Sequence, residues 1–180
     1  GKLSVLLGEG WYMGRFAFGP KERGVYGKRY HLLAELHLQY EDGSETVVGT
    51  DESWKVRRSK ILFSGIFDGE IQDDTLEELP LEPVKVLTGE KLPPLVDNLS
   101  LPVREHFARK FLLTPAGEKV LDIGQNLAGL FSLRVHEPTG TRIRLQFGEA
   151  LQDGNFYREN LRGAKQEFIY VSDGKERVVR

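Results

Sequence analysis

The chain has 180 residues, of which 39% are apolar, and this is enough to bury the core of one domain or of two small ones. Lysine and arginine number 25 against 27 aspartate and glutamate residues, so the net charge of -2 provides no positive field to attract nucleic acid or an anionic membrane. The chain has no cysteine, which excludes a disulfide framework, a thiolate nucleophile and a thiolate metal site.

Aromatic residues are concentrated in the first segment, where Trp11, Tyr12, Phe16 and Phe18 follow closely on one another. Such rings can form a platform against a sugar. The spacing of residues 12, 16 and 18 also fits one face of a strand, and in that case the rings belong to the core. We favour the core interpretation and keep the sugar platform as its alternative.

The next segment, residues 34–40, alternates between apolar and polar side chains, with Leu36 and Leu38 on the apolar face. A period of two predicts a half-buried strand. The dipeptide Asp42-Gly43 then supplies the positive φ angles of a tight turn, and the run ETVVGT follows it. The sequence therefore predicts a β-hairpin with one face in a core.

Carboxylates crowd the stretch FDGEIQDD. Hard oxygen ligands at this density can hold a calcium ion, but we favour the alternative interpretation, in which they form an acidic turn on a solvated rim. The four carboxylates are those of Asp68, Glu70, Asp73 and Asp74.

A proline-rich segment, residues 76–105, divides the chain and contains five of its eight prolines. Proline is excluded from central strands, so this segment is predicted to be an extended linker. The predicted organisation is a first domain at residues 1–76, a linker at residues 77–105 and a second domain at residues 106–180. Both domains are small β-sandwich candidates.

The second half of the chain repeats the period of two. TPAG within residues 107–123 predicts a hairpin turn, and the runs 131–135 and 142–147, joined by the turn HEPTGT, predict two half-buried strands. Asp173-Gly174 predicts another hairpin near the C-terminus. No apolar stripe of helical period and length occurs, so the chain is predicted to be all-β.

Motifs of known catalytic or metal chemistry do not occur in the sequence. No histidine has HxH or HExxH spacing, and there is no GxSxG elbow, P-loop or dinucleotide fingerprint. The four histidines, including His37 on the polar face of its strand, are interpreted as solvated. The stretch GEALQDGNFYRENLR, residues 148–162, lacks the ligand order of an EF-hand. Its carboxylate pair, Glu149 and Glu159, is compatible with acid/base catalysis, with metal binding or with an exposed turn.

A set of longer motifs occurs in a fixed order: LLGEGWYMGRF, YGKRYHLLAELHLQYEDGSETVVGTDESWKV, ILFSGIFDGEIQD, VLDIGQNLAGLFSLRV, GEALQDGNFYRENLR and QEFIYVSDGKE. In this order they resemble the N-terminal β-domains of bacterial α-L-rhamnosidases, glycoside hydrolase family 78. The resemblance runs from about residue 5 to the end, and LDIGQNLAG and GEALQDGNFYRENLR are its most specific parts.

The resemblance implies two antiparallel, jelly-roll-like β-sandwich units ahead of an (α/α)-barrel that carries the catalytic carboxylates. The family hydrolyses terminal α-L-rhamnose from glycosides with inversion, using one carboxylic acid and one carboxylate that activates water. Because this chain stops at ERVVR, we expect a non-catalytic fragment that packs on the catalytic domain of its parent and self-associates through an exposed sheet edge. No cofactor is required, and a bacterial cytoplasmic location is expected because no signal segment is visible.

The resemblance also gives residues 148–162 a structural role. Glu149 ends a strand, and Arg158, Asn160 and Arg162 offer polar contacts to a neighbouring domain.

In some rhamnosidases the counterpart of the first domain is a calcium-assisted rhamnose-binding module. Carried over, that role assigns sugar or calcium contacts to Glu9, Trp11, Asp51, Glu52, Asp68 and Glu70, with a calcium ion at Asp51 and Glu52. The tryptophan that the family carries after its DGE motif is replaced here by DDTLEELP, which removes a stacking surface for the sugar.

Basic residues near these carboxylates, namely Arg15, Lys55 and Lys60, can neutralise them without a metal ion. Several functions therefore remain open: a structural part of a glycosidase, which ranks first, a rhamnose-binding module, an enzyme in its own right, and an unrelated β-sandwich interaction domain.

Overall fold

The computed structural model of the protein describes residues 1–15, 23–87 and 110–180. The regular secondary structure of these residues is almost entirely β-strand, with one four-residue α-helix and one three-residue 3-10 helix, so the predicted all-β class is confirmed. The chain divides into two compact units, a larger one at residues 1–28, 60–77 and 103–180 and a smaller one at residues 29–59 and 78–102. Within the described ranges, the helical segments are too short to span a lipid bilayer.

The larger unit is built around a four-stranded sheet. Its elements in chain order are α1 (Gly10–Met13), β4 (Ile61–Gly65), β5 (Gly69–Asp73), β7 (Lys110–Leu113), β8 (Lys119–Asp122), β9 (Leu133–Val135), β10 (Arg142–Gln146), β11 (Ala150–Gln152), β12 (Asn155–Tyr157), a 3-10 helix (Glu159–Leu161), β13 (Glu167–Val171) and β14 (Arg177–Val179). The sheet has the strand order β10-β13-β5-β4, and the pairs β7-β8, β9-β14 and β11-β12 are two-stranded.

The core of the larger unit lies on one face of this sheet, against the β9-β14 pair. Phe168 and Tyr170 alternate along β13, and Val135 and Val179 from β9 and β14 pack with them. Phe131 approaches Phe168 edge-on, with the ring centroids 4.7 Å apart, which is a favourable aromatic geometry. The period of two in β13 therefore places its large side chains where the sheet and the β9-β14 pair meet.

The smaller unit contains β1 (Glu35–Gln39), β2 (Glu45–Gly49), β3 (Lys55–Val56) and β6 (Glu82–Pro83). β1 pairs with β2 through the turn at Asp42-Gly43, where Gly43 has φ of +82°, so the predicted hairpin is confirmed. The prediction that its apolar face lies in a core is wrong for the described residues, because every residue of β1 is exposed.

Turns were predicted better than strand partners. The hairpin predicted around TPAG is confirmed as β7-β8. The strands at 133–135 and 142–146 both exist, but β9 pairs with β14 and β10 pairs with β13. The predicted hairpin at Asp173-Gly174 is wrong, because this turn joins β13 and β14, which belong to different sheets. A turn reverses the chain, whereas the choice of partner depends on which side chains the core buries.

The compact units do not follow the predicted domain boundaries. β5 lies before the proline-rich segment and pairs in parallel with β13 from the second half, which places residues 60–77 in the same unit as residues 110–180. Within the predicted linker, Glu82 and Pro83 form β6 and pair with β3. The rest of the linker from residue 88 onward, and Phe16 and Phe18 of the predicted first strand, lie outside the described residues.

Candidate functional site

Arginine residues neutralise two of the carboxylates that were predicted to bind calcium. Arg23 pairs with Glu9 and lies 3.6 Å from Asp68 (Nη1 to Oδ2). Arg15 contacts Asp68 at 3.3 Å (Nη2 to Oδ1) and donates a hydrogen bond of 2.9 Å to the carbonyl oxygen of Gly163. Two guanidinium groups thus balance two carboxylates, and this supports the alternative in which no metal ion is needed.

Two aromatic residues, Trp11 and Phe67, lie beside this cluster of charges. Trp11 lies in α1 rather than in a strand, and its ring approaches Phe67 edge-on at 5.4 Å. The Arg15 guanidinium lies over the same Phe67 ring, 5.1 Å from its centroid. Trp11 remains 50% exposed, so the prediction that Trp11 and Tyr12 form the core of a first strand is wrong.

Asp51 and Glu52 belong to the smaller unit, whereas Glu9, Asp68 and Glu70 belong to the larger one. The Asp51 carboxylate accepts hydrogen bonds from the hydroxyl and the backbone amide of Ser53, at 2.5 and 2.8 Å. These bonds, the hydroxyl bond first, lower the pKa of Asp51 below its ordinary value. Asp51 is therefore engaged in a local turn of the kind that aspartate commonly forms.

Glu70 is half-buried on β5 and hydrogen-bonds to Ser64 on the paired strand β4. Burial raises the pKa of this carboxyl, and the hydrogen bond from Ser64 opposes the rise. Farther along the same sheet, Asp74 accepts hydrogen bonds of 2.9 Å from Gln72 and from Tyr170. Each of these carboxylates already has a protein partner.

The described ranges 1–15, 23–87 and 110–180 contain no group of three or more His, Asp or Glu side chains placed to hold a metal ion. The calcium assignment at Asp51 and Glu52 stays a prediction, and the observed partner of the Asp51 carboxylate is Ser53. The histidine interpretation fits the geometry of His37, an exposed side chain that bridges Glu45 at 2.7 Å and Glu35 at 3.1 Å.

Residues 148–162 form a bend, a hairpin and a 3-10 turn, and the prediction that Glu149 ends a strand is wrong, because β10 ends at Gln146 and Glu149 lies in the bend before β11. The hairpin β11-β12 turns at Asp153-Gly154, and the amide oxygen of Asn155 accepts a hydrogen bond of 2.9 Å from the backbone of Ala116. Glu149 is exposed just before β11, and Asn160 lies in the exposed 3-10 helix. The stretch therefore makes structural contacts between hairpins. In the described part of the chain, Glu149 and Glu159 form no hydrogen bond or ion pair with each other.

An open groove of about 610 Å³ lies beside this stretch. Basic groups outnumber acidic groups on its walls, and the charged residues are Arg144, Arg158, Arg162, Lys165, Glu159 and Glu167. Arg144 pairs with Glu167 at 2.7 Å, and Arg158 donates a long hydrogen bond of 3.3 Å to the carbonyl of Phe147. The groove brings together Arg158 and Arg162, two of the residues predicted to contact a neighbouring domain.

The sequence predicted the acidic members of the Glu9-Asp68 cluster and proposed Arg15 as a neutralising group, but it did not identify Arg23 or the Gly163 carbonyl. No short motif links these positions, because Arg15 and Gly163 are 148 residues apart. The available signal was the excess of basic residues beside the GWYM segment.

Two family models match the chain. The α-L-rhamnosidase N-terminal domain matches residues 2–85, and the bacterial α-L-rhamnosidase concanavalin-like domain matches residues 112–180.

Curated relatives agree with these models. An α-L-rhamnosidase of Streptomyces avermitilis is 31% identical over 96% of this chain and 18% of its own length. One from Alteromonas sp. (strain LOR) is 33% identical over 96% of this chain and 20% of its own length. The chain thus spans about a fifth of the length of the relatives that it matches.

Solved structures show the same relationship. A native α-L-rhamnosidase from Aspergillus terreus superposes with a TM-score of 0.74 at 29% identity, over 97% of this chain and 22% of that one. The Streptomyces avermitilis α-L-rhamnosidase complexed with L-rhamnose superposes with a TM-score of 0.73 at 27% identity, over 96% of this chain and 18% of that one. The chain belongs to the α-L-rhamnosidase family, in which it corresponds to the N-terminal and concanavalin-like domains.

Proposed function

We propose that the chain is a non-catalytic part of an α-L-rhamnosidase, and that its parent enzyme hydrolyses terminal α-L-rhamnose from glycosides with inversion. The observation that carries the proposal is the extent of the match: nearly all of this chain aligns with α-L-rhamnosidases, yet it spans only about a fifth of them. On this proposal the chain supports the catalytic domain and performs no chemistry itself.

The state of its carboxylates supports this role. Inverting hydrolysis needs a protonated acid and an ionised base that face each other across about 6.5–9.5 Å of an open cleft. Asp68 is held by two arginines, and Asp74 accepts hydrogen bonds from two neighbours. Glu70 has a raised pKa, as an acid requires, but its hydrogen-bond partner is Ser64 within the sheet. These carboxylates stabilise the fold.

The test is hydrolysis of an aryl α-L-rhamnoside by the purified 180-residue chain, with a mock purification from the same expression host as the blank. We expect no release of the aryl group above the blank, whereas the full-length parent releases it. A rate that rises in proportion to the concentration of the 180-residue chain would sink the non-catalytic assignment.

A second candidate function is rhamnose binding assisted by calcium. The half-exposed Trp11, held edge-on by Phe67, favours it because such a ring offers an apolar surface to a sugar. Calorimetric titration with calcium and then with L-rhamnose tests this function. Heat in the second step that disappears in Trp11→Ala supports it, and no heat in either step rejects it.

The groove beside residues 148–162 is our candidate for contact with the catalytic domain of the parent. Its excess of guanidinium and ammonium groups suits an acidic partner surface. In the full-length parent, charge reversal at Arg158 should lower the unfolding temperature of the catalytic domain, whereas charge reversal at Arg134, an exposed arginine on β9, should leave it unchanged.

A further inference from the structure

We infer that residues 110–180 are not an independent module. Their strand β13 is the docking surface for the β4-β5 hairpin, residues 60–77. The segments matched by the two family models therefore contain one shared folding unit. The occupant of this surface is a segment of the same chain. The family models place it in the N-terminal domain and place β13 in the concanavalin-like domain.

The hydrogen-bonding register carries the inference. β5 and β13 pair in parallel over five residues, from Glu167 opposite Gly69 to Val171 opposite Asp73. Two further backbone hydrogen bonds extend the pairing beyond both ends: Gln166 donates to the carbonyl of Phe67 at 3.1 Å, and Asp74 donates to the carbonyl of Val171 at 3.0 Å. The hairpin is therefore joined to β13 along the whole length of that strand.

β13 has no other strand on that side. Its opposite edge pairs with β10, so removal of the hairpin converts a central strand into an edge with unpaired amide and carbonyl groups. The side chains of this strand are also the best buried in the described part of the chain, since Phe168, Ile169 and Tyr170 are all buried. Exposing such a strand leaves both backbone groups and apolar surface without partners.

Side chains reinforce the docked position. The Tyr170 hydroxyl donates a hydrogen bond of 2.9 Å to Asp74, immediately after β5. Arg15 connects the other end of the hairpin to the second half of the chain, because it contacts both Asp68 and the Gly163 carbonyl. These contacts lie at opposite ends of the β5-β13 pairing, so they hold the register from both sides.

Gly69 makes the docking sensitive to a single methyl group. Its backbone has φ of +92°, and a Cβ atom at this position would overlap the backbone of Glu167, including the carbonyl oxygen. Gly117 in the β7-β8 turn has a similar φ of +81°, but a Cβ atom there would have nothing within 4 Å. Alanine at either position has the cost of a left-handed backbone, but only alanine at position 69 would overlap β13. A comparison of the two variants therefore distinguishes these two effects.

The experiment cuts the folded full chain between residues 102 and 103, where the two compact units meet in sequence. A protease site is inserted there, the intact protein is cleaved under native conditions, and the product is analysed by size-exclusion chromatography with mass detection. We expect the two pieces to elute together at the position of the uncut chain and to separate only in denaturant. Separation of the wild-type pieces under native conditions would overturn the inference.

The glycine variants identify the surface that holds the pieces together. After cleavage, Gly69→Ala is expected to release the C-terminal piece, whereas Gly117→Ala is expected to retain it. Equal retention by both variants would show that the β5-β13 pairing is not the docking contact. If Gly69→Ala does not fold before cleavage while Gly117→Ala does, the result supports the inference, because only the first variant crowds β13.

Discussion

The hydroxyl of Tyr170 donates a hydrogen bond of 2.9 Å to the carboxylate of Asp74, although the two residues are separated by 96 positions in the sequence. Tyr170 is 0% exposed, and burial together with the Asp74 charge raises the pKa of its hydroxyl above the ordinary value. The group therefore stays protonated and remains a donor. Asp74 in turn accepts from Gln72 through its other oxygen.

Tyr170→Phe removes this donor while it keeps the ring. We expect a loss of about 1–3 kcal/mol in the free energy of unfolding, because the Asp74 oxygen is left without its partner. Urea unfolding followed by circular dichroism measures the loss. Tyr157→Phe, at a half-buried position on β12, is the control and should change stability by less than half as much. Equal stability of Tyr170→Phe and the wild type would show that the hydrogen bond does not contribute.

Arg15 is only 7% exposed and contacts Asp68, the Gly163 carbonyl and the Phe67 ring. Arg15→Ala should lower the free energy of unfolding by roughly 3 kcal/mol, because Asp68 and the carbonyl lose a buried charged partner.

Arg15→Lys should recover part of this loss, since an ammonium group keeps the charge but lacks the planar guanidinium that lies over the Phe67 ring. Arg134→Ala removes an exposed ion pair with Glu176 and should cost less than about 1 kcal/mol. Chemical denaturation of the three variants tests the order, and an Arg15→Ala variant as stable as Arg134→Ala would contradict it.

Acid should weaken the turn between β13 and β14. The hydrogen bond from Arg177 to Asp173, at 2.7 Å, is the main cause that lowers the pKa of Asp173 to about 2. A depressed folded-state pKa gives stabilisation that is complete above the unfolded value of about 4 and is lost as the pH falls toward 2.

Asp173→Asn should therefore flatten the fall in unfolding temperature between about pH 4 and pH 2. Thermal unfolding across this range measures the slope. Asp153→Asn, at the exposed β11-β12 turn, is the matched control and should retain the wild-type slope. Identical acid profiles for Asp173→Asn and the wild type would show that this ion pair does not contribute to the loss of stability in acid.

Self-association is expected through the apolar face of the β7-β8 hairpin. Phe111 is 61% exposed and Leu113 is 70% exposed, and Leu121 lies opposite Phe111 on the paired strand. Leu113→Lys should shift sedimentation velocity profiles toward the monomer, because a charge on this face opposes its burial. Ala116→Lys adds the same charge at the tip of the hairpin and should leave association unchanged. A wild-type chain that sediments as a monomer at all concentrations would contradict the prediction.

Much of the local structure could be predicted because turns and strands depend on nearby residues. Asp42-Gly43 and TPAG each produced the expected hairpin, since a glycine with positive φ and short flanking strands determine a reversal of the chain locally. The carboxylates of the candidate cluster, Glu9 and Asp68, were also visible in the sequence. Their arginine partners were harder to assign, because an ion pair has no sequence period.

From the sequence alone one can predict that the chain is all-β, where its main turns lie and to which family it belongs. These properties are encoded in alternating side chains, Asp-Gly dipeptides and long ordered motifs. The folded structure was needed to show that β5 pairs with β13 and that Asp173-Gly174 joins two different sheets. Parallel pairing between distant strands leaves no local pattern, because its hydrogen bonds involve backbone groups that every residue possesses and its register is selected by the core that forms around Phe168 and Tyr170.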